Sequence, residues 1–280
     1  MSPLASNQVS AQAPALDTLT PNWPAPAHVR ALFTLRAGGV SQSPYDSLNL
    51  GDHVGDSPQA VAANRVALAQ RLNAGQDAGS VVKPVFLNQV HGTRVVRLDA
   101  NTPDATVADA CISTRRDLAC TILVADCLPV LLTDEAGSFV AAAHAGWRGL
   151  AGHEGQGILE SVFESKMAVD QSKYAQEATK IIAWLGPCIG PEAFEVGSEV
   201  RAAFVSHDAQ AAACFKALAS GKWLCDLQGL ARQRLQALGV TQVFGNDGSA
   251  AWCTVSNPSR FFSHRRDRVS GRMAACIWLA

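Results

Sequence analysis

In the stretch "VADCLPVLLTDEAGSFVAAAHAGWRG", a cysteine precedes one apolar run and a histidine closes the next. Cys127 and His144 are therefore one strand and one tight turn apart, the turn being Asp134-Glu135-Ala136-Gly137. A hairpin of "PVLLTD" on "SFVAAAHAG" brings both to the same sheet edge. His91, in "NQVHGT", stands at a bend where the following glycine permits close backbone approach. Two imidazoles and one thiolate make an incomplete tetrahedral zinc shell whose fourth place is left to water. The same set resembles a blue-copper site, so copper is an alternative to Zn2+. A third chemistry needs no metal: Cys127 as nucleophile, with His91 or His144 as its base.

The elements that must position these groups are legible in outline. "HVRALFTLRAGGV" reads as a strand entering a Gly-Gly turn, and "SPYDSLNLGDHVGD" as a loop. Ser57-Pro58 opens a helix as N-cap and first helical residue, and Asn73 to Gly75 closes it. "PVFLNQVHGTRVVRL" is strand, turn, strand. "CTILVAD", "PVLLTD" and "SFVAAAHAG" are buried strands, the first two separated at Cys127-Leu128-Pro129. One helix is expected from Arg148 to Met167, with others over Val196–Val205 and Asp226–Leu238. "KIIAWLG", "TQVFGND" and "GRMAACIWLA" read as later strands. Strands come in runs as well as alternating with helices, so the expected class is α+β, with a mixed β-sheet flanked by helices. Residues 1–28 are expected to be a flexible tail, ordered if at all near Trp23, and 29–280 one catalytic domain.

The bulk properties set limits. The chain has 280 residues, 48% of them hydrophobic, and a formal net charge of −1, enough for a substantial core. Near-neutral charge offers no basic face for nucleic acid. No apolar run approaches the roughly 20 residues that span a bilayer, so no membrane partner is expected. The tail lacks a basic n-region and a compact apolar core of the secretory kind. Eight cysteines in a chain of this length, without such a signal, are expected to be reduced thiols, with the cytoplasm as compartment.

"NQVHGT", "ADCLPVLL", "AAAHAGWRG", "LGPCIGPEAFEVG" and "FFSHRRD…SGR", in that order, resemble the YfiH/laccase-domain family. "TLRAGGVSQSPYDSLNLGDHVGD…NR" resembles its N-terminal pattern, and the likeness runs from about Val29 to Leu279. The resemblance implies a metal-bearing site with His91, Cys127 and His144 as ligands or catalytic groups. It also brings several activities: purine nucleoside phosphorylase, adenosine deaminase, polyphenol oxidase and peptidoglycan editing factor. One departure is His264, where the family pattern has a tyrosine before the arginine pair.

Three functions follow as expectations. The first is a zinc enzyme that phosphorolyses purine nucleosides (adenosine, inosine, methylthioadenosine) and deaminates adenosine, with nucleoside and phosphate as small-molecule partners. The second is a copper-dependent polyphenol oxidase. Against it, there are seven histidines and none of the paired H-x-H motifs of multicopper oxidases. The third is a Cys–His hydrolase that edits a cell-wall precursor. Arg65, Gln89 and Arg36 are the candidate substrate-binding residues, with Arg148 beside them, since arginine binds oxyanions bidentately. The competing reading makes each arginine a solvated or ion-paired surface group. Cys188 is expected to be structural, and Arg265, Arg266 and Asp267 to form one ion pair and one free charge.

Overall fold

The computed structural model describes residues 16–75, 81–169 and 180–280. Two six-stranded mixed sheets face each other. The first runs Thr18–Leu19, Val29–Thr34, Met273–Leu279, Leu118–Val124, Lys83–Asn88, Thr106–Val107. The second runs Gln242–Gly245, Ile181–Leu185, Leu128–Asp134, Val140–Ala145, Ala110–Ser113, Val95–Arg97. A small three-stranded sheet, Glu195–Val196, Trp223–Cys225 and Phe215–Ala217, lies apart from both. The α+β class with mixed sheets is as the sequence implies.

Strand sequence decides how the layers stack. In Leu128–Asp134, Leu128, Val130 and Leu132 face the helical layer, while Leu131 faces the other sheet. Ala141, Ala143 and Ala145 alternate likewise with Val140 and Ala142. Both faces of these strands are covered, which is why they read as unbroken apolar runs rather than alternating ones. The inter-sheet core holds Phe33, Ile122, Met273 and Ile277 from the first sheet against Leu131, Ala142 and Trp184 from the second. The helix Pro58–Asn73 covers the outer face of the first sheet through Leu68 and Leu72. The helices Ile158–Val169 and Leu227–Ala237 cover that of the second through Leu159, Val162, Leu230 and Leu235.

Local signals hold where they were strongest. The Ser57 side chain accepts from Ala60 N–H with Pro58 following, and Asp226 accepts from Gly229 N–H. The helix expected over Arg148–Met167 is instead two, Trp147–Ala151 and Ile158–Val169. The break follows from glycine geometry: Gly152 and Gly155 have φ of +66° and +79°. A Cβ on Gly152 would lie 1.8 Å from the Gln156 carbonyl oxygen, so the chain doubles back where a side chain would forbid it. Helix over Val196–Val205 is confined to Ser198–Val205, because Glu195–Val196 joins the small sheet. Order also begins before Trp23. Leu16 is buried, and Thr18–Leu19 pairs antiparallel with Phe33–Thr34; residues 1–15 of the expected tail lie outside the described residues. All eight cysteines are free thiols, and no helix among the described residues is long and apolar enough to cross a membrane.

Candidate metal centre

The site straddles the two sheets. Leu118–Val124 of the first sheet passes through Ala125-Asp126-Cys127 into Leu128–Asp134 of the second. Leu128 pairs with Ala145 and Pro129 with His144, the expected hairpin, so Cys127 and His144 share one edge. His91 arrives from the other sheet, at the bend after Lys83–Asn88. The Cys127 Sγ lies 3.7 Å from His91 Nε2, and the two imidazole centroids are 4.7 Å apart. Gly146 makes this meeting possible. A Cβ there would lie 3.0 Å from both Cys127 Sγ and the His91 ring.

Asp109 organises the two histidines. Its carboxylate is fully buried and accepts from the backbone N–H of Val90 (3.1 Å), His91 (2.8 Å) and Gly92 (2.7 Å). These bonds hold His91 at φ +61°, a conformation a non-glycine residue does not adopt without support. The same carboxylate lies 2.9 Å from His144 Nδ1, and its backbone carbonyl accepts from His144 N–H. Nδ1–H therefore points to Asp109, and Nε2 is left as the ligand nitrogen. Burial works to raise the Asp109 carboxyl, but the His144 bond and the Gly92 N–H outweigh it and keep it below its ordinary value.

The thiol and imidazole polarise one another. Burial alone would raise Cys127, yet the charge and hydrogen bond of His144, then those of His91, bring it down to about 6. Burial would lower His144, but the Cys127 charge and the Asp109 bond raise it to about 9. Without metal these shifts favour the thiolate and imidazolium forms near neutral pH. In metal-stripped protein, iodoacetamide should therefore alkylate Cys127 at a rate that climbs through pH 6 and flattens above. An ordinary thiol would still be climbing near its pKa of about 8.5. A midpoint at 8 or higher for Cys127 would refute the pairing. Cys120, Cys188, Cys225 and Cys276 are buried thiols, pushed up by that burial, and should not react in this range.

The donor set fits a metal. The ligand atoms of His91, Cys127 and His144 lie within 4.8 Å of one another. A tetrahedral zinc shell, with Zn–N about 2.0 Å and Zn–S about 2.3 Å, needs edges of about 3.3–3.6 Å, reachable by small side-chain movements. His144 is buried, Cys127 half-buried and His91 exposed, so the group is reached from solvent on the His91 side.

A cleft of about 440 Å³ is lined by His53, Gln89, His91, Leu123 to Cys127, His144, Trp147, Arg148, Ile189, Phe194, Leu227, His264, Arg265, Arg268 and Arg272. A family profile described as multi-copper polyphenol oxidoreductase laccase matches residues 30–280. The chain belongs to this YfiH/laccase-domain family. It is 48% identical over 262 residues to a Pseudomonas aeruginosa protein named purine nucleoside phosphorylase PA4543, which covers 93% of this chain and 98% of the relative. The Escherichia coli purine nucleoside phosphorylase YfiH is similar at 48%, with the same coverage. Among solved structures, Neisseria meningitidis protein NMB0706 matches at TM-score 0.78 and 45% identity, covering 94% of this chain and 98% of that one.

Within this family member the other sequence candidates part company. Gln89 lines the cleft, with its amide clamped to the backbone of Leu123 through both atoms (2.8 Å each). Arg148 lines it too, its guanidinium over the Trp147 ring. Arg36 and Arg65 are outside this lining. Arg36 binds the Asp46 and Pro258 carbonyls and the Asp46 carboxylate, bordering a separate hollow. Arg65 reaches the Leu50 carbonyl and Asp52, over the Phe86 ring. A guanidinium so engaged is anchored to the loop that follows Thr34. His264 lines the cleft as an exposed imidazole, and Arg266 pairs with Asp267 while Arg265 faces the cavity. Cys188 is buried beside Cys253 and Asn246, a structural position.

The residues missed in sequence are Asp109, Asp126, His53, Arg268 and Arg272. For Asp109 a signal existed: a carboxylate inside the apolar run Ala108-Asp109-Ala110-Cys111-Ile112 must have buried donors to satisfy it. Asp126, at φ +87°, accepts from Thr254 Oγ1 and Arg265 N–H, both at 2.6 Å, and ties those two residues to the Cys127 turn.

Proposed function

We propose that this protein is a metal-dependent purine nucleoside phosphorylase, acting on adenosine, inosine and methylthioadenosine, with adenosine deaminase activity at the same centre. The observation that carries the reading is the cleft itself: a Cys–His–His centre opening onto an aromatic and aliphatic wall, with guanidinium groups beside it. The names of the relatives support the phosphorylase half. His91, Cys127 and His144 are the metal ligands, and Zn2+ suits one thiolate with two imidazoles; copper is the alternative ion. When bound, such an ion supplies a Lewis acid and lowers the pKa of a coordinated water to about 7.

The chain's own groups do the rest. Trp147, Phe194, Ile189 and Leu227 present apolar surface to a flat base and exclude water from it. Asp109 keeps His144 in the tautomer that leaves Nε2 free for ligation. The cleft guanidiniums attract and neutralise the negative charge of the attacking phosphate.

Inosine with inorganic phosphate should yield hypoxanthine and ribose 1-phosphate, and adenosine should yield adenine, inosine or both. Chromatography of the bases with and without phosphate, beside elemental analysis, makes the measurement. Chelation should abolish base release, and zinc should restore it. Copper-dependent phenol oxidation with no purine product overturns the proposal in favour of the oxidase. Turnover that survives complete metal removal but not Cys127 alkylation overturns it in favour of thiolate nucleophilic chemistry.

A further inference from the structure

The cleft has two unlike sides, because different layers build them. Trp147, Ile189, Phe194 and Leu227 belong to the core between the second sheet and its helices. Arg272 sits immediately before Met273, where the first sheet's central strand begins, and His53 lies on the loop after Thr34. Arg268 comes from the turn after the short helix His264–Asp267 and has φ +62°.

On the cationic side His53 Nδ1 lies 3.5 Å from Asp52 Oδ1, while the two arginines have no carboxylate partner. Among the described residues the arginine ion pairs involve Arg36, Arg65, Arg115, Arg234 and Arg266. None involves Arg268 or Arg272. Arg272 is held rigidly all the same: its N–H donates to Asn49 Oδ1 at 2.9 Å, and its Nη1 donates to the Ser270 and Gly271 carbonyls. Gly51 leaves room for its stem, since a Cβ there would lie 2.7 Å from Arg272 Cγ. One guanidinium nitrogen is thus spent on orientation, and Nη2 and Nε are left for a ligand. Arg272 lines the same cleft as Asp126 and Cys127, and burial depresses its guanidinium. The one carboxylate lining the cleft, Asp126, is already engaged by Thr254 and the Arg265 N–H.

We infer that Arg272, flanked by Arg268 and His53, is the phosphate-binding side of the cleft, and that Trp147, Phe194 and Leu227 take the purine. A doubly charged oxyanion suits a fixed guanidinium with two free donors better than a neutral ribose does. The inference rests on the phosphorolysis reading, and inorganic phosphate alone is a probe that separates the two.

In zinc-loaded protein, Arg272→Gln should raise the phosphate KM of inosine phosphorolysis by about 10- to 100-fold, the range for loss of charge-assisted hydrogen bonds, with the inosine KM within about 3-fold. Arg272→Lys should recover part of the loss, and exposed Arg268→Gln should raise the same constant by about 5-fold. Arg36→Gln, outside the cleft, should leave it within about 2-fold. Calorimetric titration of zinc-loaded protein with inorganic phosphate should show binding in the wild type and none in Arg272→Gln, whether or not any nucleoside is turned over. Should Arg272→Gln fail to fold, Arg268→Gln decides. Wild-type phosphate KM and phosphate binding in both Arg268→Gln and a folded Arg272→Gln would overturn the assignment. So would loss of zinc from Arg272→Gln, which would make the arginine a support for the metal centre.

Discussion

Cys127→Ala should lose purine release by about 10³-fold or more while the protein stays folded, the scale of some 4 kcal/mol of transition-state stabilisation that a site metal supplies. The substitution removes the only thiolate among the three proposed ligands and leaves two imidazoles, a set with much lower zinc affinity. Its structural cost should be small. Cys127 is half-buried and packs only at the margin of the inter-sheet core, so few core contacts leave with the sulfur. Zinc content, circular dichroism and the chromatographic base assay, run on one preparation, test all three statements. Wild-type turnover in a zinc-free Cys127→Ala protein would remove the thiolate from the mechanism. Failure of the variant to fold would make it a structural cysteine.

Asp109→Asn is the second large effect, and it acts without touching substrate. The asparagine has the right shape, but with its oxygen kept toward His91 N–H its NH₂ would face the backbone donors of both Val90 and Gly92, where one oxygen now accepts at 3.1 and 2.7 Å. Two backbone donors are left without an acceptor, at a cost of about 1–3 kcal/mol each. The left-handed turn at His91 loses its clamp, and His144 loses the charge that orients its ring. Zinc affinity should therefore fall about 10- to 100-fold, the range for removing the partner of a ligating histidine. Competition against a chromogenic chelator measures it. The sign of the accompanying pH effect is also set. With Asp109 neutral, the His144 imidazolium is less favoured, so the alkylation midpoint of Cys127 in metal-free protein should move up from about 6. Zinc affinity within 3-fold of wild type would show that Asp109 is a folding residue only.

The hairpin that joins Cys127 to His144 was legible because its information is local. Two apolar runs and a turn containing Gly137, at φ +62°, specify the pairing of Leu128 with Ala145 through neighbours a few residues away. Ser57 and Asp226 announce their helices by the same short-range logic. The helix break after Ala151 is not legible in the sequence, although glycines stand at 152, 155 and 157. Glycine is tolerated inside a helix at modest cost, so its presence alone does not report a positive φ.

The arginines mark where local reading ends. Arg36, Arg65 and Arg272 are alike in sequence, each a cation near a glycine or a helix, yet only Arg272 lines the cleft. A long side chain goes where its hydrogen-bond acceptors are, and these lie far along the chain. Arg36 reaches a carbonyl 222 residues away, and the Arg272 backbone is fixed by Asn49 across 223. Asp109, just before the strand Ala110–Ser113, meets His144 across 35 residues, the registry of that strand with Val140–Ala145 setting their distance. The sequence by itself determined the strand–turn–strand that gathers a thiolate and an imidazole at one edge, since patterning and turn chemistry act between near neighbours. Only the tertiary structure decided which carboxylate holds both histidines and which guanidinium turns inward, because those choices belong to partners that folding alone brings within 3 Å.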